Sequence, residues 1–306
     1  MKRAVSISIG SSKRNKAVEI ELLGEKVSIE RIGTDGDMEK AAQMYRELDG
    51  KVDAFGVGGA DLGILVDRKW YPLYSVQSLT RYVTKTPVLD GTGLKNTLEC
   101  KAGPALEKAI GDKITSRKVF VVTGVDRWGM LETFLDPKYE SIYGDLMFTL
   151  GIPVALHTVN ALKTMAAVLM PVAGRIPFKW IYPIGEDQEK RTPKWVKYFD
   201  WAGIVAGDCH YITRYMPDRM DGKIIVTNTT TQDDMKLFKD SGVKYVMTTT
   251  PVLDGRSFGT NMMEAAVAAA MGRKDPVDYA HPGDYFKVLG EVVDKIGFEP
   301  QLQELN

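Results

Sequence analysis

Apolar and polar positions alternate singly along the first part of the chain. Ala4 to Ile9 reads as a strand. Ala17 to Leu22 and Val27 to Ile32 keep a period of two, and Leu23-Gly24-Glu25-Lys26 between them predicts a short hairpin link. The period then lengthens. Met38, Ala41, Ala42, Tyr45 and Leu48 fall on one stripe of a helix introduced by Thr34-Asp35-Gly36-Asp37. Asp53 to Asp61 predicts a buried strand running into a glycine-rich turn. Leu62 to Leu73 has hairpin character, residues 75–82 suit a short helix, and a longer helix is expected from Asn96 to about Gly111.

Near Asp112-Lys113 the texture changes, and strands alternate regularly with helices. Strands are expected at 119–124, 152–156, 179–182, 203–205, 224–226 and 245–247, with closing helices at 261–271 and 285–296. Strands separated by helices are the signature of a doubly wound, Rossmann-like parallel sheet. The expected architecture is α/β in two domains. Residues 1–112 would form a smaller α/β substrate domain with a β-hairpin, and residues 113–306 a dinucleotide-binding domain.

One hexapeptide occurs twice, as Thr86-Pro87-Val88-Leu89-Asp90-Gly91 and as Thr250-Pro251-Val252-Leu253-Asp254-Gly255. Tyr82-Val83 and Tyr245-Val246 precede the copies, and Asn96-x-x-Glu99 and Asn261-x-x-Glu264 follow them. Each copy reads as a strand, a Pro-Asp-Gly loop and a helix opened by a capping-box-like pair. Such loops bind ligands at the carboxyl ends of strands, and they also serve simply as turns and caps. A looser echo pairs residues 53–61 with 200–208, which puts both Asp61 and Asp208 near a strand's carboxyl end.

Composition narrows the picture. Forty basic side chains balance forty acidic ones, so no global field draws nucleic acid or an anionic membrane. Two cysteines make no disulfide framework, and the longest apolar run is too short to span a bilayer. A cytoplasmic location is expected, with a small-molecule substrate and possible homo-oligomers as partners.

The candidate chemistry lies on loops. Val122-Thr123-Gly124 and Gly129 lie where a strand enters a helix, as a pyrophosphate site requires, with Asp126 and Arg127 between them. His157, not an acid, follows the expected second strand, which favours NADP over NAD or no dinucleotide at all. Thr227 and Asn228 follow another strand and could hold a ligand or cap the next helix. Asp90 and Lys95 suit an acid–base pair, with the aspartate orienting a lysine whose burial lowers its pKa. Substrate contacts are expected from Ser11 and Ser12 in the loop after the first strand, and from Gly59, Asp61, Asp208, Asp254 and Arg256. Asp208-Cys209-His210 has no second cluster to support it as a metal site, and no metal is expected.

The segments TPVLDGTGLKNTLE and DAFGVGGADL resemble bacterial proteins labelled quinate/shikimate 5-dehydrogenase. That resemblance implies NADP- or NAD-linked oxidation of a cyclic hydroxy acid by a substrate domain followed by a dinucleotide domain. The lysine–aspartate pair of true shikimate dehydrogenases supports Lys95 and Asp90 by analogy. The alternative expectation is a two-domain α/β transferase or small-anion-binding protein that uses the paired Asp-Gly loops.

Overall fold

The computed structural model describes residues 1–177, 191–253 and 256–306, with backbone alone at 252–253 and 256–257. The first elements are β1 (Lys2–Ser8), β2 (Lys16–Leu22), β3 (Glu25–Gly33), α1 (Met38–Leu48), β4 (Ala54–Gly58), β5 (Gly63–Val66), β6 (Lys69–Pro72), α2 (Tyr74–Gln77), β7 (Val88–Leu89) and α3 (Thr92–Thr97). Next come α4 (Ala102–Ile110), β8 (Lys118–Val121), α5 (Trp128–Glu132), β9 (Glu140–Tyr143), α6 (Asp145–Leu150) and α7 (Val159–Ala173). After these follow α8 (Val196–Trp201), β10 (Ile204–Gly207), α9 (Cys209–Tyr215), β11 (Ile224–Thr227), α10 (Gln232–Asp240) and β12 (Tyr245–Thr248). The last are β13 (Val252–Leu253), β14 (Arg256–Ser257), α11 (Thr260–Ala270), α12 (Tyr285–Lys295) and β15 (Gln301–Glu304).

The chain forms two compact units. Unit 1 is Met1–Leu94, Val168–Asp187 and Gly259–Gly297, and unit 2 is Lys95–Ala167, Gln188–Phe258 and Phe298–Asn306. The sequence reading placed one boundary near residue 113; the chain instead first changes unit at 94/95 and later returns to unit 1. The return has a packing cause: α11 lies on β1, β3 and β4.

Unit 1 holds a five-stranded sheet in the order β2-β3-β1-β4-β7. Its four strands from β3 to β7 run parallel, and β2 pairs antiparallel on β3, as the hairpin pattern predicts. Side-chain alternation sorts the two faces. Val5, Ile7, Phe55 and Val57 join Ala41 and Tyr45 of α1 in one apolar cluster. The Tyr45 hydroxyl donates to the Ile7 and Gly56 carbonyls at 3.0 and 2.9 Å, which satisfies it inside that core. The opposite face is small, and it admits α11 closely. A Cβ on Gly56 would stand 3.1 Å from the Asn261 carbonyl oxygen, and Asn261 Nδ2 donates to Ser6 Oγ at 2.7 Å.

Unit 2 holds a six-stranded sheet in the order β9-β8-β10-β11-β12-β15, parallel except for β15, which pairs antiparallel with β12. Phe120, Phe148, Phe199, Ile212, Ile225 and Phe238 form its core on one face, with the Phe120 and Phe199 rings edge to face at 5.2 Å. The chain is thus mixed α/β with mainly parallel sheets. No helix among the described residues is long and apolar enough to cross a membrane.

Two element readings are corrected. The second strand of unit 2 is β9 at Glu140–Tyr143, while residues 152–156 contribute only an isolated bridge, Tyr143 to Leu156. The helix expected from Asn96 starts instead at Thr92, directly after Asp90-Gly91. α4 then follows separately. The strand expected at 179–182 lies outside the described residues.

Candidate ligand-binding site

In unit 2 the strand order reverses at β8, whose neighbours are β9 on one side and β10 on the other. Open parallel sheets bind ligands beyond the carboxyl ends of the strands at such a switch point. The strand register lines up those ends. Val121 stands opposite Ala206, Gly207 opposite Thr227, and Thr227 opposite Thr248. The loops after β8, β10 and β11 therefore deliver Asp126 and Arg127, Asp208, and Asn228 to one edge.

Arg127 is the hub. Its Nη1 donates to Glu99 Oε1 at 2.7 Å, its Nη2 to Asp208 Oδ2 at 2.5 Å, and its Nε lies 3.3 Å from Asp126 Oδ2. Lys95 Nζ donates to the other Asp126 oxygen at 2.8 Å. Asn228 Nδ2 donates to Asp208 Oδ2 at 3.0 Å, and Asn228 Oδ1 accepts from the Cys209 and Thr227 donors. The backbone N–H of His210 donates to Asp208 Oδ1. Glu99 is fully buried, Arg127 and Lys95 nearly so, and Asp126 is the most open of the ionised side chains at 26% exposure.

Burial sets the electrostatics. It raises the pKa of Glu99 even against the opposing pull of Arg127 and Lys95. The other oxygen of Glu99, Oε2, meets no hydrogen-bond donor among the described residues. Burial also works upward on Asp208, but Arg127 and His210 overcome it and hold this carboxyl below the ordinary range. Among the described residues no group of three His, Cys, Asp or Glu side chains is placed to hold a metal ion.

The glycine turn after β8 serves an internal carboxylate. Gly124 N–H and Val125 N–H donate to Asp145 Oδ2 and Oδ1 at 3.0 and 2.9 Å. Asp145 is buried, and that burial raises its pKa to about 6 against those two bonds. An acid does follow the second strand after all, and it occupies the N–H groups that a pyrophosphate would use. Thr123 is buried, and its Oγ1 has no partner among the described residues. Gly129 has a packing role, because a Cβ there would stand 2.0 Å from the Lys95 carbonyl oxygen. Gly129→Ala is expected to cost about 1–3 kcal/mol, read as a lowered urea midpoint at unchanged slope. A midpoint equal to wild type would refute the packing role.

The expected Asp90–Lys95 pair is not what these bonds describe. Asp90 lies buried in unit 1, where its oxygens accept from the N–H groups of Leu62 and Thr92 at 2.8 and 3.0 Å. It is a turn and cap residue, whereas Lys95 is bonded to Asp126. Ser11 Oγ accepts from Lys13 N–H, and Ser12 N–H donates to Asp35. Gly59 takes φ +77° in the turn after β4, and Asp61 is half-buried in the same loop. Thr227 Oγ1 donates to the Gly207 carbonyl, and Thr231 caps α10 through a capping box with Asp234. Asp254 lies outside the described residues, and Arg256 is described only as backbone of β14.

Two glutamates do more than the capping pattern predicts. Glu99 and Glu264 close the Asn-x-x-Glu pairs after the two hexapeptides, and both are fully buried. Glu99 holds Arg127. Glu264 Oε1 accepts from the Tyr279 and Tyr285 hydroxyls at 2.8 and 2.7 Å, and its Oε2 accepts from Gly93 N–H at 2.9 Å and Leu94 N–H at 3.3 Å. Their recurrence after the repeat was the available signal.

Among curated proteins none matches the chain. Solved structures with some likeness include a malic enzyme of Entamoeba histolytica, at 10% identity and a TM-score of 0.37 over 87% of this chain and 55% of that one. The chain therefore spans about half the length of that enzyme. A carbohydrate transporter solute binding protein from Agrobacterium radiobacter, solved with D-arabinose, shows 12% identity and a TM-score of 0.33 over 99% and 94% of the two chains. A galactofuranose binding protein shows 14% identity and a TM-score of 0.34 over 98% and 94%. The resemblance to quinate/shikimate 5-dehydrogenase and the oxidoreductase reading are corrected: the likenesses include sugar-binding proteins, and the N–H groups expected to hold a pyrophosphate are bonded to Asp145. Residues 3–90 match the profile "Domain of unknown function (DUF8753)". Residues 93–305, well over half of the chain, match "Domain of unknown function (DUF8754)", and the chain belongs to that family.

Proposed function

We propose that unit 2 binds a small hydroxyl-bearing molecule at the carboxyl edge of its sheet, and that this sheet is doubly wound. The carrying observation is the arginine hub. Arg127 and Lys95 fix the carboxylates of Asp126 and Asp208 in place, and Asp126 is the member most open to solvent. A carboxylate whose orientation is already set accepts hydrogen bonds from ligand hydroxyls with little ordering cost. Asn228, held between Asp208 and Cys209, adds a neutral polar group at the same edge. The side chains supply acceptors and fixed charges, as a polyol or an amino-polyol requires. The second Asp-Gly loop, at 254–255, lies outside the described residues, so the reading is built on these side chains alone.

The test is titration calorimetry of the whole chain against small polyols and simple sugars. Asp126→Asn should weaken binding at least tenfold (about 1.4 kcal/mol), because the amide turns a donor toward Lys95 and loses an ionised acceptor. No heat and no thermal stabilisation with any member of the panel at millimolar concentration would defeat the proposal.

A further inference from the structure

We infer that the outer edge of β2 takes up an extended peptide segment in which basic and apolar residues alternate, as an added strand of the unit 1 sheet.

β2 stands at the end of the order β2-β3-β1-β4-β7, and its seven residues pair with β3 in one unbroken antiparallel register, from Lys16 opposite Arg31 to Leu22 opposite Glu25. It carries neither a proline nor a bulge, two devices that blunt an edge against further pairing. Alternate backbone N–H and C=O groups of such a strand point away from its neighbour, at the spacing that another strand matches. Among the described residues no other strand pairs with β2, and no loop backbone bonds residues 17–22.

The side chains of β2 fall into two sets, one on each face of the sheet. Val18 and Ile20 are half-buried and stand opposite the buried Ile29 and Val27. Ile29 in turn stands opposite Ala4, on the face where α11 packs and Asn261 bonds Ser6. Ala17, Glu19 and Glu21 are exposed on the other face, with Ser28 opposite Glu19 and Lys26 opposite Glu21. An added strand therefore sets one row of side chains beside Val18 and Ile20 and the other beside Glu19 and Glu21. Apolar residues suit the first row, and Lys or Arg the second. A second copy of β2 fits less well. The antiparallel register that overlaps the whole strand sets Glu19 against its own copy, and like charges directly opposite destabilise a sheet. Sliding the copies one way sets Glu19 against Glu21, and sliding them the other way sets Ile20 against Lys16.

The experiment titrates the whole chain with labelled heptapeptides, read by fluorescence anisotropy: an alternating lysine–valine peptide, its glutamate–valine counterpart, and the lysine–valine peptide with proline at its centre. The lysine–valine peptide should bind at least about tenfold tighter than either control, and added salt should narrow its margin over the glutamate–valine peptide. Hydrogen exchange should slow at the amides of residues 17–22 when it binds. Glu19→Lys combined with Glu21→Lys, both on the exposed face, should reverse the preference between the two charged peptides, and circular dichroism establishes that this variant folds. Absence of binding, equal binding of the two charged peptides, undiminished binding of the proline peptide, or slowed exchange at other strands alone overturns the proposal. Sedimentation that shows the chain dimerising by itself, with exchange slowed at residues 17–22, assigns the edge to a second copy and overturns it as well.

Discussion

Arg127→Ala should destabilise unit 2 by about 3–5 kcal/mol and abolish ligand binding. The large effect follows from what the change leaves behind. Glu99 is fully buried and loses the donor to its Oε1, while Asp208 loses the partner that holds its carboxyl ionised. Two desolvated negative charges would then face each other and Asp126 without the guanidinium between them. Urea unfolding, with amide hydrogen exchange in β8 and β10 to localise the loss, checks the size and the place. Adding Glu99→Gln and Asp208→Asn to Arg127→Met should recover more than half of the stability, because a neutral set no longer needs the hub. A loss below about 1 kcal/mol in Arg127→Ala would mean that the cluster is solvated and the hub is ornamental.

Glu264→Gln should stabilise unit 1 above neutral pH. Burial, and then the field of Asp90, raise the Glu264 pKa from 4.5 to about 7, against the hydrogen bonds from Tyr285, Tyr279 and Leu94. The folded chain therefore keeps a proton that the unfolded chain releases. Its contribution is full below about pH 4.5 and is lost as pH rises through about 7. On the scale of such shifts the loss by pH 8 is about 3 kcal/mol. Glutamine mimics the protonated acid. Its oxygen can keep the bonds from Gly93 and Leu94 N–H, while its Nε2, standing where Oε1 accepts from Tyr279 and Tyr285, has those two hydroxyls turn to accept instead. Asp49 and Asp53, whose pKa values are lowered by backbone hydrogen bonds that outweigh burial, slope the other way with pH. The readout is therefore the difference between variant and wild type at pH 5 and pH 8. Parallel pH profiles for the two proteins would sink the assignment.

The fold was legible where the side-chain period was clean. The β2–β3 hairpin, α1 and the parallel strands β10, β11 and β12 stand close to where alternation and apolar runs put them. β9 escaped because Glu140-Ser141-Ile142-Tyr143 is only partly apolar and starts exposed, while residues 152–156 look more strand-like and pair at a single bridge. Asp145, two residues beyond the end of β9, is hidden with it in the side-chain pattern. Asp126, Arg127, Asp208 and Asn228 could be picked from loops after strands, yet their mutual bonding depends on strand order, which local pattern does not specify. Lys95 bonds an aspartate thirty-one residues away, whereas proximity in sequence favours Asp90. Glu99 and Glu264 were hidden by a familiar capping pattern, although burial of a charged residue is the rarer and more telling event.

The interleaving of the two units constrains how this protein can be made and divided. Helix α11, which covers β1, β3 and β4, and strand β15, which extends the sheet at β12, both lie late in the chain. During synthesis the small-residue face of the first sheet emerges long before its cover. A truncated product ending at residue 94 would carry that bare surface permanently. Expression should therefore keep both units in one polypeptide, even though the two family profiles part company near residue 91.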